Sequence, residues 1–276
     1  MFGLHDLTFL ALLVETNNSL IYDGLYNKKE CIIKYIPTDS TFGIRSKVLR
    51  ELSVFRNVTS DHIVKLIDLR YNKNGIYLIL EKGEVTINDM NINELLNNSD
   101  KIFLDVLNGL YDMHQNQYIH GDLSLSNIIK TNSDGVVKYK LIDFGISTKF
   151  HRERAVCHPA RYIEPYEMVN NQKIIPSKID SWQFGCVMNY VFTGNLLFCD
   201  DNIHDINKTL GLDNKQSKRS VSHQMKNVNN THVVKIIKKM INIDPTKRID
   251  ILSVGQKYIK NNNKMSHHNT YIKNSK

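Results

Sequence analysis

An α+β fold of two lobes is what this sequence predicts: a small β-rich lobe carrying one helix, then a larger and mainly helical lobe. Three observations point there. Short β-branched runs broken by Asn, Gly and Lys fill the chain up to about residue 80, the pattern of antiparallel strands joined by turns. Apolar residues at helical spacing dominate from about residue 100 onward, as buried helix faces do. Between the two stands His-Gly-Asp-Leu-Ser-Leu-Ser-Asn, His120 to Asn127, followed one hairpin later by Ile-Asp-Phe-Gly, Ile142 to Gly145. A chain of 276 residues, 41% of them hydrophobic, can bury a sizeable core in one two-lobed domain.

The first strand is entered through Leu7 to Val14 (LTFLALLV). This run does not read as a signal peptide, because Asp6 adjoins it, no basic residue precedes it and no small-x-small cleavage site follows; it is also too short to span a bilayer. Ser19 to Tyr22, Glu30 to Tyr35, Ile63 to Leu69 and Ile76 to Leu80 read as further strands, and Arg45 to Val58 as a helix with Val48, Leu52 and Phe55 on one face. Lys34 ends the buried run Cys-Ile-Ile-Lys, and Glu51 on the following helix can pair with it and hold it toward a phosphate. Glu81 to Gly83 links the lobes, inside a polar, asparagine-rich and weakly patterned stretch that runs to Ser99.

The large lobe opens on a helical stripe, Ile102, Val106, Leu107, Leu110 and Met113. After His120 to Asn127 comes a hairpin, Ile128-Ile129 and Val136 to Ile142 about an Asp134-Gly135 turn, which returns Asp143 beside Asp122 and Asn127. Asp200 to Asn230 is polar loop with one or two short helices. Val233 to Ile243 and Ile249 to Tyr258 are helical, with Lys235, Lys238 and Lys239 on a solvated face. The domain is expected to cover residues 1–260, with lobes of about 1–81 and 84–260. Residues 261–276, rich in Asn, Lys, Ser and His, form a disordered tail.

A formal net charge of +8 favours acidic partners. No aromatic-and-basic platform marks a dedicated nucleic-acid site, so the charge reads as a generally basic surface. Cys31, Cys157, Cys186 and Cys199 are far apart; they read as free thiols in a reducing, cytoplasmic or nuclear compartment. No internal repeat and no transmembrane run are present.

Two aspartates and an amide in this arrangement suit phosphoryl transfer, since two of them can hold magnesium while the third orients an attacking hydroxyl. On these residues the chain resembles the eukaryotic-type protein kinases, from about Val14 to Tyr258, and the resemblance implies the protein kinase-like fold. Lys34 corresponds to the strand lysine that holds the α and β phosphates of ATP, and Glu51 in Leu-Arg-Glu-Leu to its helix partner. Asp122 corresponds to the catalytic-loop aspartate, and Asn127 and Asp143 to the ligands of Mg²⁺. Ile21, Ile32, Glu81, Gly83 and Ile129 fall where the family binds the nucleotide base. Glu-Pro-Tyr-Glu, Glu164 to Glu167, stands for Ala-Pro-Glu; Asp180-Ser-Trp-Gln-Phe-Gly opens the central large-lobe helix; and Arg248 corresponds to the arginine that pairs with Glu167.

The departures carry mechanistic information. Val14, Thr16 and Ser19 replace the three glycines of the phosphate loop; Asn17 and Asn18 compensate in part because Asn tolerates the left-handed region. Ile32 replaces a small alanine over the base. Both features predict weak ATP affinity. Gly121 replaces the arginine that receives an activating phosphate, and no Ser or Thr occurs between Lys149 and Pro165. Activity is therefore expected not to depend on phosphorylation of that loop; Ser147 and Thr148 lie too close behind Asp-Phe-Gly, and Tyr162 and Tyr166 belong near the docking turn. Ser124 replaces the lysine usual in serine/threonine kinases, and Pro159 a threonine.

The leading expectation is a protein kinase of serine/threonine type, tyrosine or dual specificity remaining open, acting with ATP and Mg²⁺ on acidic or nucleic-acid-associated protein substrates. A scaffold or decoy with little ATP turnover is the alternative, motivated by the lost glycines and Ile32. A small-molecule phosphotransferase rests on His-Gly-Asp alone.

Overall fold

A computed structural model describes residues 5–16, 19–38, 46–150, 175–197, 214–242 and 244–258. Its small lobe is a five-stranded antiparallel sheet of β1 (Leu7–Glu15), β2 (Leu20–Tyr26), β3 (Lys29–Pro37), β4 (Leu66–Asn72) and β5 (Gly75–Leu80) in the order β1-β2-β3-β5-β4. The run Leu7 to Val14 is thus itself an edge strand and more than the entry to one. Ile63 and Val64 lie outside β4. They are buried against the large lobe, where Ile63 makes a lone parallel bridge to Leu141 and the Val64 N–H donates to the Leu141 carbonyl at 3.0 Å. Their apolar character reflects burial, which a run of this length does not distinguish from strand pairing.

Helix α1 (Ser46–Asn57) packs on one face of the sheet. Its buried residues are Val48, Glu51 and Val54, whereas Leu52 and Phe55 are half-buried. The buried stripe is therefore rotated slightly from the expected one, so that it carries Glu51 inward. Val48 and Val54 join Ile36, Ile76 and Leu78 in a core continuous with that of the large lobe. The opposite face of the sheet has its own small cluster, Cys31, Ile33, Tyr77 and Ile79, flanked by Tyr22, Tyr26 and Tyr35.

The large lobe contains β6 (Val85–Thr86), α2 (Ile92–Asn97), α3 (Ser99–Gln115), β7 (Tyr118–Ile119), β8 (Ile128–Ser133), β9 (Val136–Leu141), β10 (Thr148–Lys149), α4 (Ile179–Thr193), α5 (Asn214–Gln224) and α6 (Thr231–Met240), and ends in a helix over residues 251–258. The elements β6 and α2 fall in the stretch that looked unpatterned, because segments this short show no period. The stripe expected on α3 is buried throughout, from Ile102 to Met113. Thirteen of the fifteen residues of α4 are buried, so this helix is the centre of the lobe and shows no amphipathic signal.

Strands β8 and β9 pair from Ile128↔Leu141 to Ser133↔Val136. Asp134 and Gly135 close the turn with φ of 53° and 81°, as a two-residue hairpin demands. A Cβ added at Gly135 meets nothing within 4 Å, so a side chain there costs only backbone strain. We expect Gly135→Ala to lower stability by about 1 kcal/mol, measured by urea denaturation, with the fold unchanged.

Candidate active site

The loop from His120 to Asn127 is built on α4. Asp180, in the first turn of that helix and fully buried, accepts hydrogen bonds from the backbone N–H groups of His120 and Gly121, each at 2.8 Å, and lies 2.7 Å from His114 Nε2 at the end of α3. Burial by itself would raise the Asp180 pKa; the hydrogen bond and charge of His114, with the loop amides, outweigh it and hold the carboxyl below its ordinary value. Gln183, nearly one turn later, donates to the Gly121 carbonyl at 3.0 Å and accepts from the Leu123 N–H at 3.0 Å. Gly121 sits at φ +82°, where a Cβ is strained.

The same loop is tied to Ile142-Asp143-Phe144-Gly145. His120 Nδ1 accepts from the Asp122 N–H at 3.2 Å, which places its proton on Nε2 facing the Ile142 carbonyl at 3.1 Å. Ser147 Oγ donates to the His120 carbonyl at 2.9 Å. Phe144 is fully buried, with its ring 5.4 Å from that of His120 and 5.5 Å edge-on from Phe55 of α1. Asn127 Nδ2 donates to the Asp122 carbonyl at 2.7 Å, so the amide and the aspartate five positions before it move as one unit.

Lys34 joins three elements. Its ammonium lies 2.9 and 3.0 Å from the Glu51 carboxylate and 3.1 Å from Asp143 Oδ1. Burial would pull Lys34 down, but Glu51 and Asp143 together overcome it and hold the ammonium well above the ordinary lysine range. Burial raises Glu51, against the pull of Lys34. Burial would raise Asp143 as well, yet Lys34 holds it below its ordinary value. The Asp143 side chain is 51% exposed and faces the cleft with φ of 60°. Arg50, adjacent to Glu51, donates to the Gly145 carbonyl at 3.3 Å.

Ile21 pairs with Lys34 across β2 and β3, and Ile32 lies two positions before Lys34, so all three side chains share one face of the sheet. Ile129 is 9% exposed, and a Cβ on Gly83 would lie 3.0 Å from its side chain. Glu81 stands in the link between the lobes, as expected of the Glu81–Gly83 segment, and its side chain is engaged within the protein. Its carboxylate turns away to Lys140 of β9, at 2.6 and 2.8 Å, and accepts the Lys65 N–H at 3.0 Å; only its backbone is left for a ligand. At the β1–β2 turn the Ser19 N–H donates to Thr16 Oγ1 at 3.0 Å, and the Thr16 N–H to the Ser19 carbonyl at 2.9 Å.

Asn17, Asn18, Cys157, Pro159, Tyr162, Tyr166, Cys199, the Glu164–Glu167 motif and the tail lie outside the described residues. The pairing expected between Glu167 and Arg248 therefore has only one side in view. Arg248 is buried, donates to the carbonyls of Asn242 and Lys178 at 2.8 and 3.0 Å, and stacks 5.1 Å from the Trp182 ring centre. Sequence reasoning missed His114, Gln183, Arg50 and Lys140 as parts of the site. Only Gln183 had a signal, its place in the Asp180 motif; the others are ordinary helix and strand residues until the fold juxtaposes them.

The family model for the protein kinase domain matches residues 17–259. Among curated proteins the chain is similar to the SNF1-related protein kinase catalytic subunit alpha KIN12 of Arabidopsis thaliana, 25% identical over 221 residues, 78% of this chain and 42% of that one. It is 30% identical over 179 residues to the "Probable serine/threonine-protein kinase KIN28 homolog" of Encephalitozoon cuniculi, covering 62% of this chain and 56% of that one. The serine/threonine protein kinase OSK3 of Oryza sativa subsp. indica is 26% identical over 222 residues, 77% and 41% of the two chains. The chain spans about half the length of the curated relatives it matches.

Removing the buried carboxylate in Asp180→Ala leaves His114 and two loop amides without their acceptor, a loss of about 3 kcal/mol or more. Because the folded pKa is depressed, the contribution of Asp180 is complete above its unfolded value of about 3.9 and is lost progressively as pH falls from there through the lower folded value. Urea denaturation from pH 7 down to 3 should therefore show a large destabilisation at neutral pH and a flatter acid limb for the variant.

Proposed function

The chain belongs to the protein kinase family, and on that premise we propose that it transfers the γ-phosphate of ATP to hydroxyl groups of protein substrates, serine and threonine by preference. One observation carries this: Lys34 bridges Glu51 and Asp143 within 3.1 Å, while Asp122 and Asn127 are locked to each other on the adjoining loop. A lysine clamped between two carboxylates is held in place for a phosphate, and a scaffold has no physical need for that arrangement.

The residues present suit Mg²⁺. Asn127 donates through Nδ2, which leaves its oxygen as a hard donor, and the half-exposed Asp143 supplies a carboxylate. Among the described residues no cluster of three or more His, Cys, Asp or Glu forms a cage, which fits an ion held by one or two side chains plus nucleotide phosphates. When bound, the metal neutralises charge developing on the phosphates. Lys34 would hold the α and β phosphates, and Asp122 would orient the substrate hydroxyl and take up its proton. Rate enhancement then comes mainly from positioning and preorganised charge. The purine would lie between Ile21 and Ile32 above and Ile129 below, edge-on to the backbone of Glu81 and Gly83.

Two departures set the character of this enzyme. The Thr16 and Ser19 amides are engaged within their own turn, so the phosphate loop contributes less and ATP binds weakly. Gly121 replaces the phosphate-receiving arginine, and both its peptide groups are committed to Asp180 and Gln183. Ser147 and Thr148 are buried. These features support activity without phosphorylation of the activation segment. Exposed Lys218, Arg219, Lys226, Lys235, Lys239 and Lys257 of the large lobe favour acidic protein substrates. Among the described residues no helix is long and apolar enough to cross a membrane.

Radiolabelled γ-phosphate transfer to acidic and basic protein substrates tests the proposal. Asp122→Asn should lower transfer by about 100-fold or more, Lys34→Met should do likewise through lost ATP binding, and EDTA should abolish it. No transfer above these variants, without stabilisation against heat by Mg-ATP, would leave a scaffold. Phosphoamino-acid analysis should return phosphoserine and phosphothreonine. Phosphatase treatment should leave the rate unchanged; a severalfold gain on phosphorylation of Tyr162 would refute loop-independent activity.

A further inference from the structure

The link between the lobes is tied down by a buried ion pair for which the transfer chemistry itself has no use. Lys140 of β9 is 6% exposed and grips both oxygens of Glu81 at 2.6 and 2.8 Å. It stands opposite Ile129 in the hairpin register, on the same face, and Ile129 is the residue against which Gly83 packs. The Glu81 carboxylate also accepts the Lys65 N–H, and the Glu81 N–H donates to the Lys65 carbonyl at 3.0 Å. One residue past Gly83, the Glu84 N–H donates to the Lys130 carbonyl at 2.8 Å. Residues 81–84 are therefore fastened at both ends, to the segment that leads into β4 and to the β8–β9 hairpin.

Between those anchors, the Glu81 carbonyl and the Gly83 N–H have no protein partner among the described residues. A donor and an acceptor two residues apart on a fixed backbone match the hydrogen-bonding edge of a purine. Their value to a ligand depends on how little ordering binding still requires. Lys140 touches no ligand in this arrangement; its effect passes through Glu81.

We propose that Lys140 is a positioning residue for the nucleotide: through Glu81 it holds residues 81–83 against the β8–β9 hairpin and so preorganises the peptide groups that receive the base. This rests on the kinase reading above. The consequence falls on nucleotide affinity, while Asp122, Asn127 and Asp143 keep their own anchors and the chemical step is little affected.

The experiment uses the full chain and compares wild type with Lys140→Met and Lys140→Arg. Methionine keeps a long unbranched stem and leaves Glu81, 20% exposed, able to hydrate; arginine restores a cation. Well below the melting temperature of every variant, ADP affinity is measured by calorimetry, and ATP KM and kcat by phosphate transfer. Lys140→Met should raise the ADP Kd and the ATP KM by about tenfold with kcat within about threefold of wild type, and Lys140→Arg should return all three to within about threefold. A merely structural role would lower the melting temperature and leave Kd and KM unchanged, which overturns the proposal. So does a higher kcat in Lys140→Met, the mark of a latch that restrains lobe motion. If Lys140→Met does not fold, Glu81→Gln should raise the ADP Kd in the same direction, and an unchanged Kd refutes the inference. A wild type that binds no nucleotide defeats the kinase reading and this inference together; a wild type that binds while the variants match it defeats this inference alone.

Discussion

The buried carboxylate of Asp180 is the constraint on which the candidate active site depends. A loop carrying Asp122 and Asn127 has several backbone amides that neither helix nor sheet satisfies, and buried amides without partners cost too much to persist. Asp180 takes two of them, from His120 and Gly121, and Gln183 on the same helix takes the Leu123 amide and the Gly121 carbonyl. Because α4 is buried on nearly every side, the loop is fastened to the centre of the large lobe. His114, 2.7 Å from the Asp180 carboxylate, joins the amides in satisfying it, as a buried carboxylate requires.

Rigidity passes from that loop to the small lobe by a short chain of contacts. His120 bonds to the Ile142 carbonyl and meets Phe144 edge-on, Phe144 meets Phe55 of α1, and Asp143 faces Lys34, which is held by Glu51 from the same helix. The position of α1 is thus coupled to the His120–Asn127 loop through packed rings and to Asp143 through charge. Arg50 adds a bond from α1 to Gly145. Together these contacts fasten α1 to the segment from Asp143 to Gly145.

The substitutions at Gly121 and in the phosphate loop acquire a physical meaning in this setting. At φ +82° any side chain at position 121 would be strained by roughly 1 kcal/mol, so glycine keeps the loop unstrained. Between β1 and β2, Thr16 and Ser19 bond to each other, and the backbone N–H of each is engaged by the other residue. Beside the Lys34–Glu51 pair, the link between the lobes carries a second, partly buried ion pair of Glu81 with Lys140.

By itself the sequence determined the two-lobed plan, the Asp122, Asn127 and Asp143 set, the hairpin that joins them, and the pairing of Lys34 with Glu51. Each rests on short-range spacing, a turn with Asp134-Gly135, or a charge placed in an apolar run, and local physics is enough to read them. The register of the Ile63 run, the elements β6 and α2, and the direction of the Glu81 side chain were decided by the tertiary structure. So was the assembly of Asp180, His114 and Gln183 under the loop. Those outcomes depend on which partner, some 60 residues away, satisfies a buried charge or amide, and only the packed fold selects it.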